Sequence, residues 1–343
     1  MHNALYILKI LFYMLYYMKC CLYTRFFNED PYIDYVIEHY IKLGFCKIII
    51  LKTDNVQYQV NSKYASFVDI HYVINRGDIS LHVNENLLRT SQCDWALIAD
   101  SDELLVLNKK YSCIQDFIKE KEEKHPQVNG FYFRWAMLDK FDNNNTISFS
   151  NLVSNYKVHT NEHIKTMVRI KKFEKVRNSH VSYTKPHNMY IDGNITHCIK
   201  PHQSINKNMY NEAYLIHLHT RSVNNIIMKS LNTRFYSKGI VKRDNFISLI
   251  NTFDKDVDPK KLFNQFEECI GMKVTLPLQN KNMPLLNINN LLLFDDTVNV
   301  IDEEMETKLV YKELHKLNID ISKYELFVKI ITSYLNDNKM FNL

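Results

Sequence analysis

The stretch "KCCLYTRFFNEDPYIDYVIEHYIKLGFCKIIIL", residues 19–51, carries the pattern that decides the fold. It opens at 19–27 with an aromatic and cysteine-rich run that is typical of a strand. Asn28 can cap a following helix, whose apolar residues recur every three to four positions until Gly44 ends it. The run "KIIIL" at 47–51 is continuously apolar, as in a strand buried on both faces. A strand, a helix and a strand in this order predict two parallel strands joined by a right-handed crossover.

The same alternation continues to about residue 138 and then gives way to helices from about residue 222. We expect further strands near 68–74, 95–99 and 128–138, and helices at 82–92 and 114–124. The alternation therefore predicts an α/β fold with a parallel sheet flanked by helices, and a helical C-terminal part. The expected organisation is a hydrophobic segment at 1–18, a main domain at 19–230 and a C-terminal extension at 231–343.

Composition narrows the function classes. The chain has 343 residues of which 46% are hydrophobic, enough for a full-sized core, so disorder is excluded as the general state. Its net charge of +5 is spread along the chain, and no nucleic-acid partner is expected from it. Only six glycines are present and no GxxxxGK[ST] motif occurs, which argues against a glycine-rich phosphate loop.

Two segments bear on the cellular location of the protein and on zinc binding. "ALYILKILFYMLYYM" at 4–18 is shorter than the roughly 20 apolar residues that span a bilayer, and it lacks the basic start and cleavage site of a signal peptide. A packed first helix and a membrane anchor both remain possible, so we expect a cytoplasmic or membrane-associated protein. The tract "THCIKPH" at 196–202 offers one Cys and two His, a poor set for structural zinc.

The stretch "DWALIADSDELL" at 94–105 joins a buried strand to three acids. Ligands of open α/β sheets bind beyond the carboxyl ends of the strands. On an extended segment Asp100 and Asp102 would project the same way and could reach one hard cation, with Ser101 pointing aside. Glu103 would orient them. A merely acidic loop or a helix cap is the alternative reading of so short a motif.

Several motifs in order resemble the family-2-like glycosyltransferases of the GT-A fold, especially the subgroup with "NE…EWI.YH..LG", "W….D.DEF" and "HY..KS" elements; they are also similar to family-92 glycosyltransferases. Here these elements read "FNEDPYIDYVIEHYIKLG", "DWALIADSDELL" and "HLHTRS". The resemblance covers about residues 19–230. It implies a GT-A fold, which is a Rossmann-like, mixed but mainly parallel sheet flanked by helices. It also implies a metal-dependent, hexosyltransferase-type enzyme that moves a sugar from a nucleotide diphosphate sugar, in particular a UDP-sugar, to a hydroxyl of a glycan, protein or lipid.

The resemblance also assigns residues to the donor. Asp100, Asp102 and His217 would bind Mn²⁺ or Mg²⁺, which would bridge the diphosphate. A departing diphosphate gains negative charge, which fixed cations would also offset. The residues expected around the nucleotide and its phosphates share positions near strand ends: Thr24, Asn28, Glu29, Asp54, Asp100, Lys165 and Arg221.

An inverting transfer additionally needs a base within hydrogen-bond reach of the acceptor hydroxyl. Trp135 could stack on a sugar ring or could simply be a core residue. His180 and His187 are interpreted as structural or acceptor-side residues. The candidates for the base are carboxylates expected at one end of the sheet, with the first preferred: Asp139, Asp142 and Glu162.

Two other functions stay open. A nucleotidyl or phosphoryl transferase would also use clustered acids and a divalent ion. A carbohydrate- or nucleotide-binding protein of the same fold would lack turnover. The expected partners of the leading hypothesis are a nucleotide-sugar donor and a glycan, glycoprotein or glycolipid acceptor, with possible peripheral membrane association.

Overall fold

The structure, a computed structural model, describes most of the chain. The described residues are 18–54, 57–73, 85–138, 158–197 without 179, 212–218, 237–270 and 303–337, with the isolated positions 224, 227, 228, 231 and 292. Several sequence predictions therefore lie outside the described residues. They are nearly all of the segment 1–18, the candidate bases Asp139 and Asp142, the candidate cation Arg221, and both Cys198 and His202.

The first strand–helix–strand unit forms as predicted. Strand β1 is Cys20–Phe26, helix α1 is Asp30–Lys42 and strand β2 is Lys47–Lys52, and the two strands are parallel. The helix start differs from the prediction: Glu29, not Asn28, is the N-cap residue, because Asn28 adopts a left-handed turn at φ 51°. Gly44 follows the helix at φ 95°, a conformation that glycine adopts without strain.

The remaining elements follow in chain order. Strands are β3 (Val68–Tyr72), β4 (Trp95–Ile98), β5 (Glu103–Leu107), β6 (Gly130–Leu138), β7 (Val158–Arg169), β8 (Phe173–Val176), β9 (Ser182–Thr184), β10 (Met189–Ile191), β11 (Asn194–Thr196) and β12 (Ala213–His217). Helices are α2 (Glu85–Thr90), α3 (Ile114–Lys124), α4 (Ser237–Thr252), α5 (Pro259–Ile270), α6 (Glu303–Lys316) and α7 (Ile321–Asp337).

The central sheet is mixed. Its strand order is β11-β10-β6-β7-β4-β1-β2-β3, and β12 lies beside both β5 and β6. The strands from β4 through β1 and β2 to β3 are parallel, as the alternating pattern predicts. Strand β7 runs antiparallel between β4 and β6, which the alternation did not predict. This curled, mostly parallel sheet with flanking helices confirms the GT-A-like α/β fold.

Both faces of the parallel part of the sheet are covered. Cys20 and Leu22 of β1 pack in one core with α1 and α3. Their neighbours Cys21 and Tyr23 point to the opposite core, which includes Leu88 of α2. Because alternate residues of a strand face opposite sides, burial on both faces explains the continuous apolar runs in the sequence.

The C-terminal helices share a separate core. Phe246 of α4, Phe266 of α5 and Phe327 of α7 form an aromatic centre with ring centroids 5.4–6.1 Å apart. A buried hydrogen bond of 2.5 Å from Tyr32 Oη to Glu306 Oε1 connects α1 to α6. No helix within the described ranges is both long and apolar enough to cross a membrane.

Candidate functional site

The acids that follow β4 form a tight turn. The Glu103 N–H donates to the Asp100 carbonyl at 3.1 Å, and the Asp100 N–H donates to Glu103 Oε2 at 2.9 Å. This differs from the extended geometry expected from the sequence, because a hydrogen bond from residue i+3 to residue i closes a turn. As a result the carboxylates of Asp100 and Asp102 have different partners. The carboxylate of Glu103 therefore holds the turn through the backbone of Asp100.

Side chains of helix α1 hydrogen-bond to the backbone at the end of this turn. Tyr40 Oη donates to the Glu103 carbonyl at 2.7 Å and accepts from the Leu105 N–H at 3.3 Å. The ring of His39 donates from Nε2 to the Leu105 carbonyl at 2.7 Å. All of these groups are buried, so their hydrogen bonds replace lost water contacts. His39 and Tyr40 of the opening motif therefore position the backbone of β5.

Two cations face Asp100. Strands β4 and β7 pair with Ile98 opposite Thr166, so the next residue along β7, Lys165, lies beside the start of the turn. Lys165 Nζ is 2.5 Å from Asp100 Oδ2 and 3.3 Å from Glu103 Oε1, although its side chain is only 1% exposed. Arg25 Nη2, on β1, is 4.0 Å from the other Asp100 oxygen. Lys165 is therefore buried and does not belong to an exposed strand face.

The acids differ in how readily they ionise. Burial disfavours the charged form of Asp100, but Lys165 and Arg25 together outweigh it and hold the pKa of that carboxyl below its usual value. Burial raises the pKa of Glu103 well above its usual value, and Lys165 only partly opposes that shift. We therefore assign the ion pair of Lys165 mainly to Asp100.

Asp102 lies beside His217. Strand β12 pairs with β5 so that His217 is opposite Glu103, and its Nε2 is 3.4 Å from Asp102 Oδ2. Neighbouring ligands of Mn²⁺ or Mg²⁺ lie about 3 Å apart when each is about 2.1 Å from the ion, so this pair fits one divalent cation. Within the described parts of the chain, no group of three His, Cys, Asp or Glu side chains is placed so that it could hold a metal ion. Asp100, the third predicted ligand, is held by Lys165.

The opening motif and the acidic turn meet in space. Ser101 does not simply point aside: its hydroxyl donates to the carboxylate of Glu29. The carboxyl ends of β1 and β4 are neighbours because these strands are paired in parallel. Thr24, one residue before Arg25, is fully buried, and its hydroxyl has no hydrogen-bond partner among the described residues.

Asp54 belongs to a sealed group, which we call the Lys52 cluster: Lys52, Asp30 and Asp54. Lys52 Nζ is 2.9 Å from Asp30 Oδ1 and 2.6 Å from Asp54 Oδ1, and the three side chains are at most 5% exposed. The other oxygen of Asp54 accepts from the Asn28 N–H at 2.9 Å. Asp54 therefore supports the left-handed turn at Asn28 from inside the protein.

The acceptor-side candidates are placed differently from one another. Glu162 is exposed on β7. The ring of Trp135 on β6 is contacted by three imidazoles, those of His163 at 4.9 Å, His180 at 5.2 Å and His217 at 4.3 Å between ring centroids. We call these four residues the imidazole cluster. His187 instead bonds to Tyr132 Oη at 2.9 Å.

Sequence reasoning missed Arg25 and His163. Arg25 interrupts an otherwise buried strand just before its end, and a cation at that position is a usable signal for an anion site. His163 gives no comparable signal, because it comes near Trp135 only through the pairing of β6 with β7.

Comparison with known proteins assigns the family. The model of Glycosyltransferase family 92 matches residues 21–235. A search among curated proteins finds no match to this chain. The matched region begins within β1 and contains the opening motif, the acidic turn and His217. It covers well over half of the sequence, and the chain belongs to glycosyltransferase family 92.

Proposed function

We propose that this protein transfers a sugar from a nucleotide diphosphate sugar, a UDP-sugar in the first instance, to a hydroxyl group of a glycan, glycoprotein or glycolipid. Membership of the family supports glycosyltransferase activity in general. One observation carries the finer proposal. The acidic turn at Asp100–Glu103 meets the turn at Asn28 and Glu29 at the carboxyl ends of β1 and β4, where Arg25 and Lys165 add positive charge.

The donor's diphosphate would bind over the acidic turn. Arg25, whose side chain is about one quarter exposed, can offer two parallel N–H groups to phosphate oxygens. Lys165 is fully buried against Asp100 and would keep that carboxylate fixed. Asp102 and His217 would hold Mn²⁺ or Mg²⁺. Asp100, which is paired with Lys165 and faces Arg25, would become the third ligand by exchanging one of these partners for the ion. The bound cation would neutralise charge on the departing nucleoside diphosphate.

The nucleotide part would lie near the Asn28 turn. Asn28 and Glu29 are partly exposed there, whereas Asp54 and Thr24 are buried beneath them. We propose that Asn28 and Glu29 contact the ribose or base directly and that Asp54 acts through the Asn28 backbone. This assigns Asp54 and Thr24 a role in shaping the site.

The direct test is release of nucleoside diphosphate from a panel of UDP- and GDP-sugars, with Mn²⁺ and p-nitrophenyl glycosides as acceptors. We expect at least one donor to turn over, EDTA to stop the reaction, and Asp102→Asn to lower turnover about 100-fold or more. Asp69→Asn is the matched control, since Asp69 lies on β3 as a half-exposed partner of Lys47. Equal turnover in Asp102→Asn and the wild type would contradict the proposal.

The same assay separates the alternatives. Pyrophosphate release from nucleoside triphosphates would identify a nucleotidyltransferase. Binding of UDP that persists in EDTA, without turnover of any donor, would identify a non-catalytic binding protein.

A further inference from the structure

The imidazole cluster lies next to the acidic turn, where the proposed donor would bind. Nε2 of His217, a member of the cluster, is 3.4 Å from Asp102 Oδ2. Lys165, which is paired with Asp100, has its Nζ 5.8 Å from the centre of the Trp135 ring. His163 stacks on Trp135 with an interplanar angle of 17°, and its centroid is 5.4 Å from that of His180. The cluster is therefore continuous with the acidic turn.

The backbone of His180 is firmly anchored. Its N–H donates to Asn178 Oδ1 at 2.9 Å, and its carbonyl accepts from the Thr166 hydroxyl at 2.7 Å. Its ring Nδ1 is 3.2 Å from the Ile164 carbonyl. These contacts tie a residue of the segment between β8 and β9 to strand β7, so the position of the ring is determined by the sheet.

The hydrogen bond also determines the tautomer. A carbonyl oxygen only accepts, so Nδ1 must carry the proton and the lone pair must lie on Nε2. Among the residues that the structure describes, none hydrogen-bonds to His180 Nε2. The half-buried ring thus presents a fixed, neutral acceptor atom.

The surroundings keep that atom unprotonated. Burial, followed by the positive charge of Lys165, lowers the pKa of His180 to about 4, although the hydrogen bond to the Ile164 carbonyl and the charge of Asp100 act in the opposite direction. That basicity resembles the carboxylates of Asp and Glu, whose usual pKa values are about 4. Unlike an ionised carboxylate, a neutral imidazole carries no negative charge, so it does not repel a diphosphate bound nearby.

We propose that His180 Nε2, and not a carboxylate, is the base that takes the proton of the acceptor hydroxyl. This rests on the proposed glycosyl transfer. As the acceptor O–H proton moves to Nε2, the acceptor oxygen forms its bond to the anomeric carbon. The bond from that carbon to the phosphate oxygen breaks, and its electron pair leaves with the nucleoside diphosphate. Attack opposite to the leaving group inverts the anomeric configuration.

The test compares transfer to two nucleophiles. His180→Asn retains an amide N–H that can donate to the Ile164 carbonyl but removes the Nε2 lone pair. We expect turnover with a p-nitrophenyl glycoside acceptor to fall about 100-fold or more, with the KM for the donor unchanged. Transfer to azide, which has no proton to lose, should continue at close to the wild-type rate. The sugar product should have the inverted configuration by NMR.

Controls separate the base from other roles. His71→Asn alters an exposed histidine on β3, the last strand in the order of the sheet, and it should change turnover less than about threefold. The proposal is overturned if His180→Asn transfers to sugars like the wild type, if it loses azide transfer equally, or if Asp139→Asn or Glu162→Gln shows the base-specific loss instead. A wild-type protein that releases no nucleoside diphosphate would overturn glycosyl transfer itself.

Discussion

Lys52 and Lys165 are both buried between carboxylates, and the two groups have different roles. The Lys52 cluster lies at the end of β2, with Asp30 and Asp54 only 5% and 3% exposed. Lys165 lies beside β4, and its partner Asp100 is 26% exposed. Each group pairs one lysine with two carboxylates. The two groups differ because Asp100 is exposed to water, whereas Asp30 and Asp54 are not.

That difference separates a structural anchor from a binding site. Each oxygen of Asp54 has a protein partner, one in Lys52 and one in the Asn28 backbone. Asp100 is paired on one side with Lys165, but its second oxygen has, among the described residues, only Arg25 at 4.0 Å. A ligand can therefore exchange with the partners of Asp100 more easily than with those of Asp54.

The largest expected effect is on stability. Lys52→Met leaves two carboxylates buried without their cation, which costs about 3–5 kcal/mol. Lys165→Met should cost less, about 1–2 kcal/mol, because Asp100 reaches water and Arg25. Urea unfolding at pH 7 measures both free energies. Equal losses in the two variants would contradict the distinction between a sealed and an open cluster.

On turnover the order should reverse. Asp100→Asn removes the charge that would face the donor and its cation, and we expect about a 100-fold loss, close to 2.7 kcal/mol. Asp54→Asn keeps an oxygen for the Asn28 N–H and should lose less than about fivefold once the folded fraction is matched. The turnover of the two variants is compared by the initial rate of nucleoside diphosphate release. A larger loss in Asp54→Asn would indicate that Asp54 contacts the nucleotide directly.

A smaller effect concerns the link between the two motifs. Ser101→Ala removes the hydroxyl that bonds to Glu29, and we expect kcat/KM for the donor to fall about tenfold, or 1.4 kcal/mol. Ser112→Ala is the matched control, because Ser112 bonds to Asp116 in a similar serine–carboxylate pair away from the site. Similar kinetics of the two variants would show that the link has no role in donor binding.

The smallest effect is on the pH dependence of stability. Burial raises the pKa of Asp30 above its usual 3.8, with Lys52 opposing and Asp54 adding to the shift. Above pH 3.8 the folded chain therefore holds this proton more strongly than the unfolded chain, so the contribution of Asp30 to stability falls as pH rises through its folded pKa. The stability of the wild type relative to Asp30→Asn, from urea unfolding at pH 3.5–7, should decline with pH. A relative gain would contradict the assigned direction.

Local patterns were enough to predict part of this molecule. The bounds of β1, α1, β2 and α3 follow closely from apolar periodicity, and "DWALIADSDELL" correctly locates the acidic turn at the end of a strand. These features depend on neighbouring residues, whose spacing is visible in the sequence.

The missed features depend on pairing between distant strands. Nothing near residue 165 indicates that β7 inserts antiparallel beside β4, so the burial of Lys165 against Asp100 could not be predicted. The pairing of β6 with β7 and with β12 contributes to the imidazole cluster, whose members come from β6, β7, β12 and the segment before β9. The extended geometry expected for Asp100 and Asp102 was wrong because Glu103 closes a turn with the Asp100 backbone.

The central claim is that the acidic turn binds a nucleotide diphosphate with a divalent cation. A crystal soaked with UDP and Mn²⁺ tests it most directly through the anomalous signal of manganese. We expect a manganese peak within coordination distance of Asp102 and His217, with the diphosphate between the ion and Arg25. A nucleotide bound elsewhere in the protein, or UDP over the turn with no manganese beside Asp102, would contradict the claim.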